Sequence, residues 1–163
     1  MLIQLKNKDT LIIDDFKLKC CIGKKGILKK KIEGDKSTPK GTFELIKLYY
    51  RADRVKKPVT LLKKKKIHKN MGWCDDPKSK LYNKEIKISK NLQYEILYRK
   101  DYKYNYFIEL NYNKENTISN KGSAIFIHLT NNYKPTLGCI ALKEKDFIIL
   151  LKLIGKKNKL KIN

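Results

Sequence analysis

Apolar and polar positions along this chain fall into short alternating or clustered runs, the pattern of strands rather than of long helices. Leu2 to Leu5, Thr10 to Ile13 and Lys17 to Ile22 are three such runs, separated by Asn/Lys/Asp and Gly turns, and their spacing predicts a β-meander. The breaker-rich segment Gly34-Asp35-Lys36-Ser37-Thr38-Pro39-Lys40-Gly41 then leads into an apolar and aromatic run from Thr42 to Tyr50. Pro39 and Gly41 set a tight turn into that strand. Further strands are expected at Tyr94 to Tyr98, Tyr104 to Leu110 and Leu160 to Ile162. Ala124-Ile125-Phe126-Ile127 is continuously apolar, which predicts burial on both faces, and it ends on His128. One segment has helical periodicity. From Glu144 onward, Phe147, Leu150, Leu151 and Ile154 fall at i, i+3, i+4 and i+7, with Asp146 in the first turn and Gly155 as the stop. Arg51 to Lys90 has the weakest periodicity and is read as a long ordered loop, since it holds Trp73 and the paired Asp75 and Asp76.

Composition narrows this picture. A chain of 163 residues with 41% hydrophobic positions has room for one domain, taken as 1–163, with a proper core. No apolar run approaches the roughly 18 residues of a membrane-spanning helix. The balance of 39 Lys+Arg against 16 Asp+Glu, a net +23, invites a nucleic-acid or anionic-surface reading. Only three of the basic residues are arginine, the residue whose planar fork best reads bases and phosphates. Lys, Ile and Asn number 36, 20 and 13 while Ala numbers 3, the bias of a genome rich in A and T codons. The short clusters Lys29-Lys31, Lys63-Lys66 and Lys156-Lys157 therefore read as solvated faces, and no specific nucleic acid is expected as partner. Met1 to Lys6 is too short an apolar stretch for a secretory signal, so none is expected within this sequence. Cys20, Cys21, Cys74 and Cys139 have no C-x-x-C spacing, and Cys20 and Cys21 would point to opposite faces of a strand. Neither a zinc knuckle nor a disulfide framework is indicated.

The candidate chemistry is a histidine at the end of a buried strand and a cysteine just after the Thr136-Leu137-Gly138 turn. If the intervening loop folds back, the Cys139 strand lies beside the His128 strand and brings an imidazole to a thiol. A neighbouring imidazolium would lower the thiol pKa toward neutrality and make a nucleophile. Gly138 permits close backbone approach, and amides around Gly138 and Cys139 can face an oxyanion. Taken singly, a buried cysteine is as readily a small core residue and a strand-end histidine a structural one.

Gly122-Ser123-Ala124-Ile125-Phe126-Ile127-His128 followed by Pro135-Thr136-Leu137-Gly138-Cys139-Ile140-Ala141-Leu142 resembles the active-site signature of the L,D-transpeptidase catalytic domain, or YkuD domain, family. Gly34-Asp35 and Thr38-Pro39-Lys40-Gly41-Thr42-Phe43 resemble its Thr-Pro-x-Gly-x-Phe motif. Tyr50-Arg51-Ala52-Asp53-Arg54, Gly72-Trp73-Cys74-Asp75-Asp76, Tyr82-Asn83 and Arg99-x-Asp101-x-x-Tyr104 resemble a bacterial branch of compact single-domain members. The resemblance implies a mainly β fold, a sandwich or flattened barrel of mixed sheets with one C-terminal helix. It also implies a monomeric cysteine acyltransferase that needs no metal or cofactor. Its partners would be a peptidoglycan tetrapeptide donor and an amine acceptor, joined in a 3→3 cross-link through a Cys139 thioester. His128 would act as the base, and Thr136 and Gly138 would shape the oxyanion pocket. Arg51, Arg54, Trp73, Asn83 and Ser123 are the expected substrate contacts. A local ion-pair network competes with that role for Arg51 and Arg54, and packing competes with it for Trp73. Asp75 and Asp76 are read as turn caps, Cys74 as structural and His68 as exposed.

The sequence departs from the common pattern at Leu137, where many members have histidine, at Ala141, where many have arginine, and in a shorter His128 to Cys139 loop. These departures bear on substrate choice and acceptor. An L,D-carboxypeptidase or amidase with water as acceptor is the alternative within the enzyme class, and a basic nucleic-acid or envelope-polymer binding module the alternative outside it. The resemblance implies the periplasm or cell envelope, with the cytoplasm as the alternative.

Overall fold

The computed structural model describes residues 2–29 and 31–163. Met1, and Lys30 of the Lys29-Lys31 cluster, lie outside the described residues. The meander expected from the first three apolar runs is present as β1 (Leu2–Lys6), β2 (Thr10–Ile13) and β3 (Phe16–Cys21). After β4 (Ile27–Leu28) and β5 (Thr38–Pro39) comes the long β6 (Gly41–Tyr50). The middle third holds β7 (Lys63–Lys66), β8 (Met71–Cys74), β9 (Glu85–Lys87) and β10 (Tyr94–Ile96). The remainder supplies β11 (Tyr106–Leu110), β12 (Phe126–Leu129), β13 (Ile140–Leu142), α1 (Glu144–Leu153) and β14 (Lys159–Ile162).

Nine strands form one mixed sheet in the order β11-β12-β13-β3-β2-β1-β14-β6-β7, and pairing of β11 with β6 closes it into a barrel. Closure depends on the length of β6. Its first half pairs antiparallel with β14, from Gly41↔Ile162 to Glu44↔Lys159, and its second half pairs antiparallel with β11 and parallel with β7. The parallel pairing of β1 with β14 completes the ring. This is the mainly β architecture with one helix that the sequence implies. No helix among the described residues is long and apolar enough to cross a membrane.

Alternation along the strands divides the interior in two. The larger core collects Ile3, Leu5, Leu48, Ile127, Ile140 and Leu160, onto which α1 lays its buried stripe of Phe147, Leu150 and Leu151. A second, aromatic core gathers Tyr49, Trp73, Tyr104, Phe107 and Phe126, with Cys139 packed against its edge. Phe107 touches both Tyr49 and Phe126, at ring centroid distances of 4.5 and 4.6 Å. Each such aromatic side chain contributes about 1.5–3 kcal/mol on burial.

Three departures from the sequence pattern have local causes. Arg51 to Lys90, expected to be a long ordered loop, holds β7, β8 and β9; the Lys63-Lys66 run is a strand whose side chains are mostly exposed, as a solvated face requires. It pairs with β6 from Lys47↔Lys63 to Tyr50↔Lys66 through backbone groups that any residue carries, while lysine side chains on an exposed strand discourage further pairing. The strand expected from Ala124 begins instead at Phe126, because Ala124 sits at φ 51. Gly155 does not take a left-handed helix cap. The helix leaves through extended Ile154, and Asn158 accepts from the Gly155 N–H (2.9 Å) and donates to its carbonyl (2.6 Å).

Candidate active site

β12 and β13 are parallel neighbours in register Ile127↔Ile140, His128↔Ala141. The loop between them folds back as the sequence reading requires. Alternation then sends Ile127, Leu129, Ile140 and Leu142 into the larger core and turns Phe126, His128, Cys139 and Ala141 to the opposite face. His128, Cys139 and Ala141 line one cavity of about 850 Å³.

Cys139 is partly exposed, whereas Cys20, Cys21 and Cys74 are buried. Its Sγ accepts the Phe126 N–H at 3.3 Å and donates to the Ala124 carbonyl at 3.2 Å. Burial first, and then the negative charge of Glu95, push this thiol up to about 12. His128 Nδ1 lies 2.9 Å from the Leu129 carbonyl. A carbonyl can only accept, so Nδ1 carries the proton and Nε2 keeps its lone pair. Tyr104 packs edge-on against the ring, with centroids 5.5 Å apart, and donates its hydroxyl to Glu95. Burial lowers the His128 pKa to about 4, and the nearby positive charges of Lys103 and Arg99 act in the same direction. The resting pair is therefore a neutral thiol and a neutral imidazole. The imidazolium-stabilised thiolate expected from the sequence is outweighed by desolvation of both groups.

The turn that presents Cys139 is tied on several sides. Thr136 Oγ1 accepts the Gly138 N–H (3.1 Å) and donates to the Cys139 carbonyl (2.6 Å). Its backbone is held between the Lys24 N–H and the Ile22 carbonyl, at 3.0 and 2.9 Å. Thr38 of the Thr38-Pro39 motif donates to the Gly138 carbonyl (2.8 Å) and accepts the Gly23 N–H (2.9 Å). This cross-tie fixes two glycines. Gly138 sits at φ 141, and a Cβ there would lie 2.8 Å from the Ser37 carbonyl oxygen; one on Gly23 would lie 2.5 Å from that of Lys36.

The five residues expected to touch substrate divide. Ser123 lines the cavity, is 7% exposed, and its Oγ has no hydrogen-bond partner. Asn83 is a buried junction outside the cavity lining. Its Oδ1 accepts from Trp73 Nε1 (3.0 Å) and the Ala124 N–H (3.1 Å), and its Nδ2 donates to the carbonyls of Tyr112 and Asn113. Asn83 thereby holds Ala124 in the left-handed conformation that aims its carbonyl at the thiol. Trp73 is 1% exposed and meets Phe126 edge-on in the aromatic core. Arg51 forms a fork on Asp53 (2.8 and 2.7 Å), donates to the Arg99 carbonyl and stacks on Tyr98. Arg54 donates to the carbonyls of Lys100 and Asp101. Neither arginine lines the cavity. Asp76 caps a turn by accepting the Lys78 N–H at 2.9 Å, while Asp75 lines the cavity with its carboxyl pKa raised by burial. His68 is exposed.

Charged groups that sequence reasoning did not assign to the site take the arginines' place. Lys31, Glu95 and Arg99 all line the cavity, and Arg99 is itself held in a fork on Asp101 at 2.9 and 2.7 Å. The Arg99-x-Asp101 spacing was the available signal for the last of these. Nothing in the sequence separates Lys31 from its lysine neighbours.

The mainly β fold agrees with what a family comparison returns. The model of the L,D-transpeptidase catalytic domain, YkuD, matches residues 2–162, essentially the whole chain. A search of curated proteins returned no match. With the match running from the first strand to the last, the chain belongs to the L,D-transpeptidase catalytic domain family.

Proposed function

We propose that the protein is a cysteine acyltransferase acting on peptidoglycan stem peptides, with Cys139 as nucleophile and His128 as base. The observation that carries this reading is the placement of both groups on the cavity face of the β12–β13 pair, with His128 Nε2 left as a free acceptor. In the first step the thiol proton leaves the Ala124 carbonyl for Nε2 as Sγ attacks the stem-peptide carbonyl. The carbonyl π pair moves to oxygen. Collapse reforms the carbonyl and expels D-alanine, whose nitrogen takes the proton from His128, leaving a thioester on Cys139. In the second step the amine of another stem attacks the thioester, its proton passes through His128 to the departing sulfur, and a 3→3 amide results. Thr136 and Gly138 hold the turn in place through both steps, and Ser123 offers a desolvated hydroxyl to the bound peptide. The substrate places this activity in the cell envelope, where a net charge of +23 also favours anionic polymers.

Incubation of purified muropeptides with the protein, with Cys139→Ala as control, tests the proposal by mass spectrometry. Cross-linked dimers with loss of D-alanine, absent in the variant, are the expected products. Trimmed stems without dimers identify water as the acceptor and overturn the transferase reading, and products that persist in Cys139→Ala overturn the mechanism.

A further inference from the structure

Lys31 is an unusual lysine in a chain where most face solvent. Its side chain is 4% exposed, and its Nζ donates to Asp35 Oδ1 at 2.7 Å and to the Ser37 carbonyl at 2.8 Å. Asp35 is locked in turn, accepting from the Ile32 and Ser37 N–H groups and from the Ser37 hydroxyl. An ammonium has three N–H donors, and these two bonds leave one. The Nζ lies 3.6 Å from the position a Cβ on Gly138 would occupy, and Lys31 and Cys139 line the same cavity. Of the two amides that the sequence offers to an oxyanion, at Gly138 and Cys139, the Gly138 N–H is already donated to Thr136 Oγ1. The opposing charge at the thiol is Glu95, which disfavours further negative charge there.

We infer that Lys31 is a catalytic residue whose third N–H stabilises the oxyanion formed when Cys139 attacks a carbonyl. This rests on the acyl-transfer reading and deepens it. The ion pair with Asp35 and the bond to Ser37 hold the ammonium over Gly138, so little reorganisation is needed when the carbonyl π pair moves to oxygen. The tetrahedral oxygen of either step then forms beside a fixed cation. Removing one such donor typically costs about 10²–10³ in rate.

Two probes of Cys139 separate this role from a structural one. A carbapenem acylates the thiol through a tetrahedral oxyanion, in which the lactam C–N bond breaks and the ring nitrogen takes the proton. Iodoacetamide alkylates it by displacement of iodide, with no oxyanion. Lys31→Met is expected to slow carbapenem acylation about 100-fold while changing alkylation less than about fivefold. Lys31→Met combined with Asp35→Asn, which leaves no buried unpaired carboxylate, should show the same split. Lys31→Arg should recover part of the acylation rate. Equal slowing of both reactions in the double variant, or acylation unchanged from wild type, overturns the inference. Failure of the wild type itself to be acylated at Cys139 overturns the acyl-transfer reading instead, so the two failures are distinct.

Discussion

Cys139 and Ile140 are consecutive residues on opposite faces of the β12–β13 pair. Ile140 is wholly buried in the larger core, surrounded by aliphatic side chains from the barrel and α1. Cys139 faces the cavity, held by two weak bonds to sulfur and bordered by Glu95, Lys31 and Arg99. The face that carries stability is one residue away from the face that carries chemistry. The larger core fixes the backbone, and at the edge of the aromatic core the other surface can hold strained and desolvated groups around Cys139.

The largest contrast comes from paired substitutions. Cys139→Ala should lose more than about 10³ of acyl transfer and leave the thermal midpoint nearly unchanged, since one small side chain replaces another at a partly exposed position. Ile140→Ala should lose about 2–5 kcal/mol of stability in urea unfolding through the cavity it leaves. Comparable stability losses for the two would break the comparison. His128 joins the two faces in one residue. His128→Asn should lower acylation by about 10²–10⁴. It should also change how stability depends on pH. Because the folded pKa of about 4 lies below the ordinary 6.5, the unfolded chain binds a proton that the native state refuses. Wild-type stability should fall as pH drops from 6.5 toward 4, by on the order of 3 kcal/mol, and His128→Asn should be flatter over that window in urea titrations. Identical slopes would remove the buried neutral histidine from the account. Asp35, held near 2 despite its burial, by Lys31 above all, adds stability that is lost only at lower pH, below about 4.

Smaller effects test the turn between the faces. Gly138→Ala meets the Ser37 carbonyl in a conformation that disfavours side chains, and should cost about 1–3 kcal/mol in stability while slowing acylation. Leu137, next to it, is 70% exposed, and Leu137→Ser should stay within about 0.5 kcal/mol of wild type in the same unfolding assay.

Much of this arrangement was legible in the chain, and the parts that were not share a cause. The uninterrupted apolar run before His128 reads as doubly buried because it has the aliphatic core on one side and the aromatic core on the other. The same reading places His128 and Cys139 together once the loop returns. Side-chain direction is a different matter. Residue type says that Arg51 and Trp73 can hold a ligand; Asp53, two residues from Arg51, made the competing ion pair legible, but Tyr98, Asn83 and Phe126 lie close only after folding. Ionisation states are hidden likewise, because the sequence brings a thiol and an imidazole to one face of a strand pair but does not say how far burial desolvates them. Lys31 was the least visible of all. What sets it apart is the acceptor pair formed by Asp35 and Ser37.

The seam between β1 and β14 joins strands far apart in sequence. The meander of β1 to β3 can form early from local contacts, but the ring cannot close until β14 slides between β1 and the first half of β6. Before that moment the chain exposes two unpaired strand margins, which are templates for association with other chains. Closure joins segments far apart in sequence, so it is slow relative to hairpin formation. Pairing of β14 with β1 and β6 covers both margins at once.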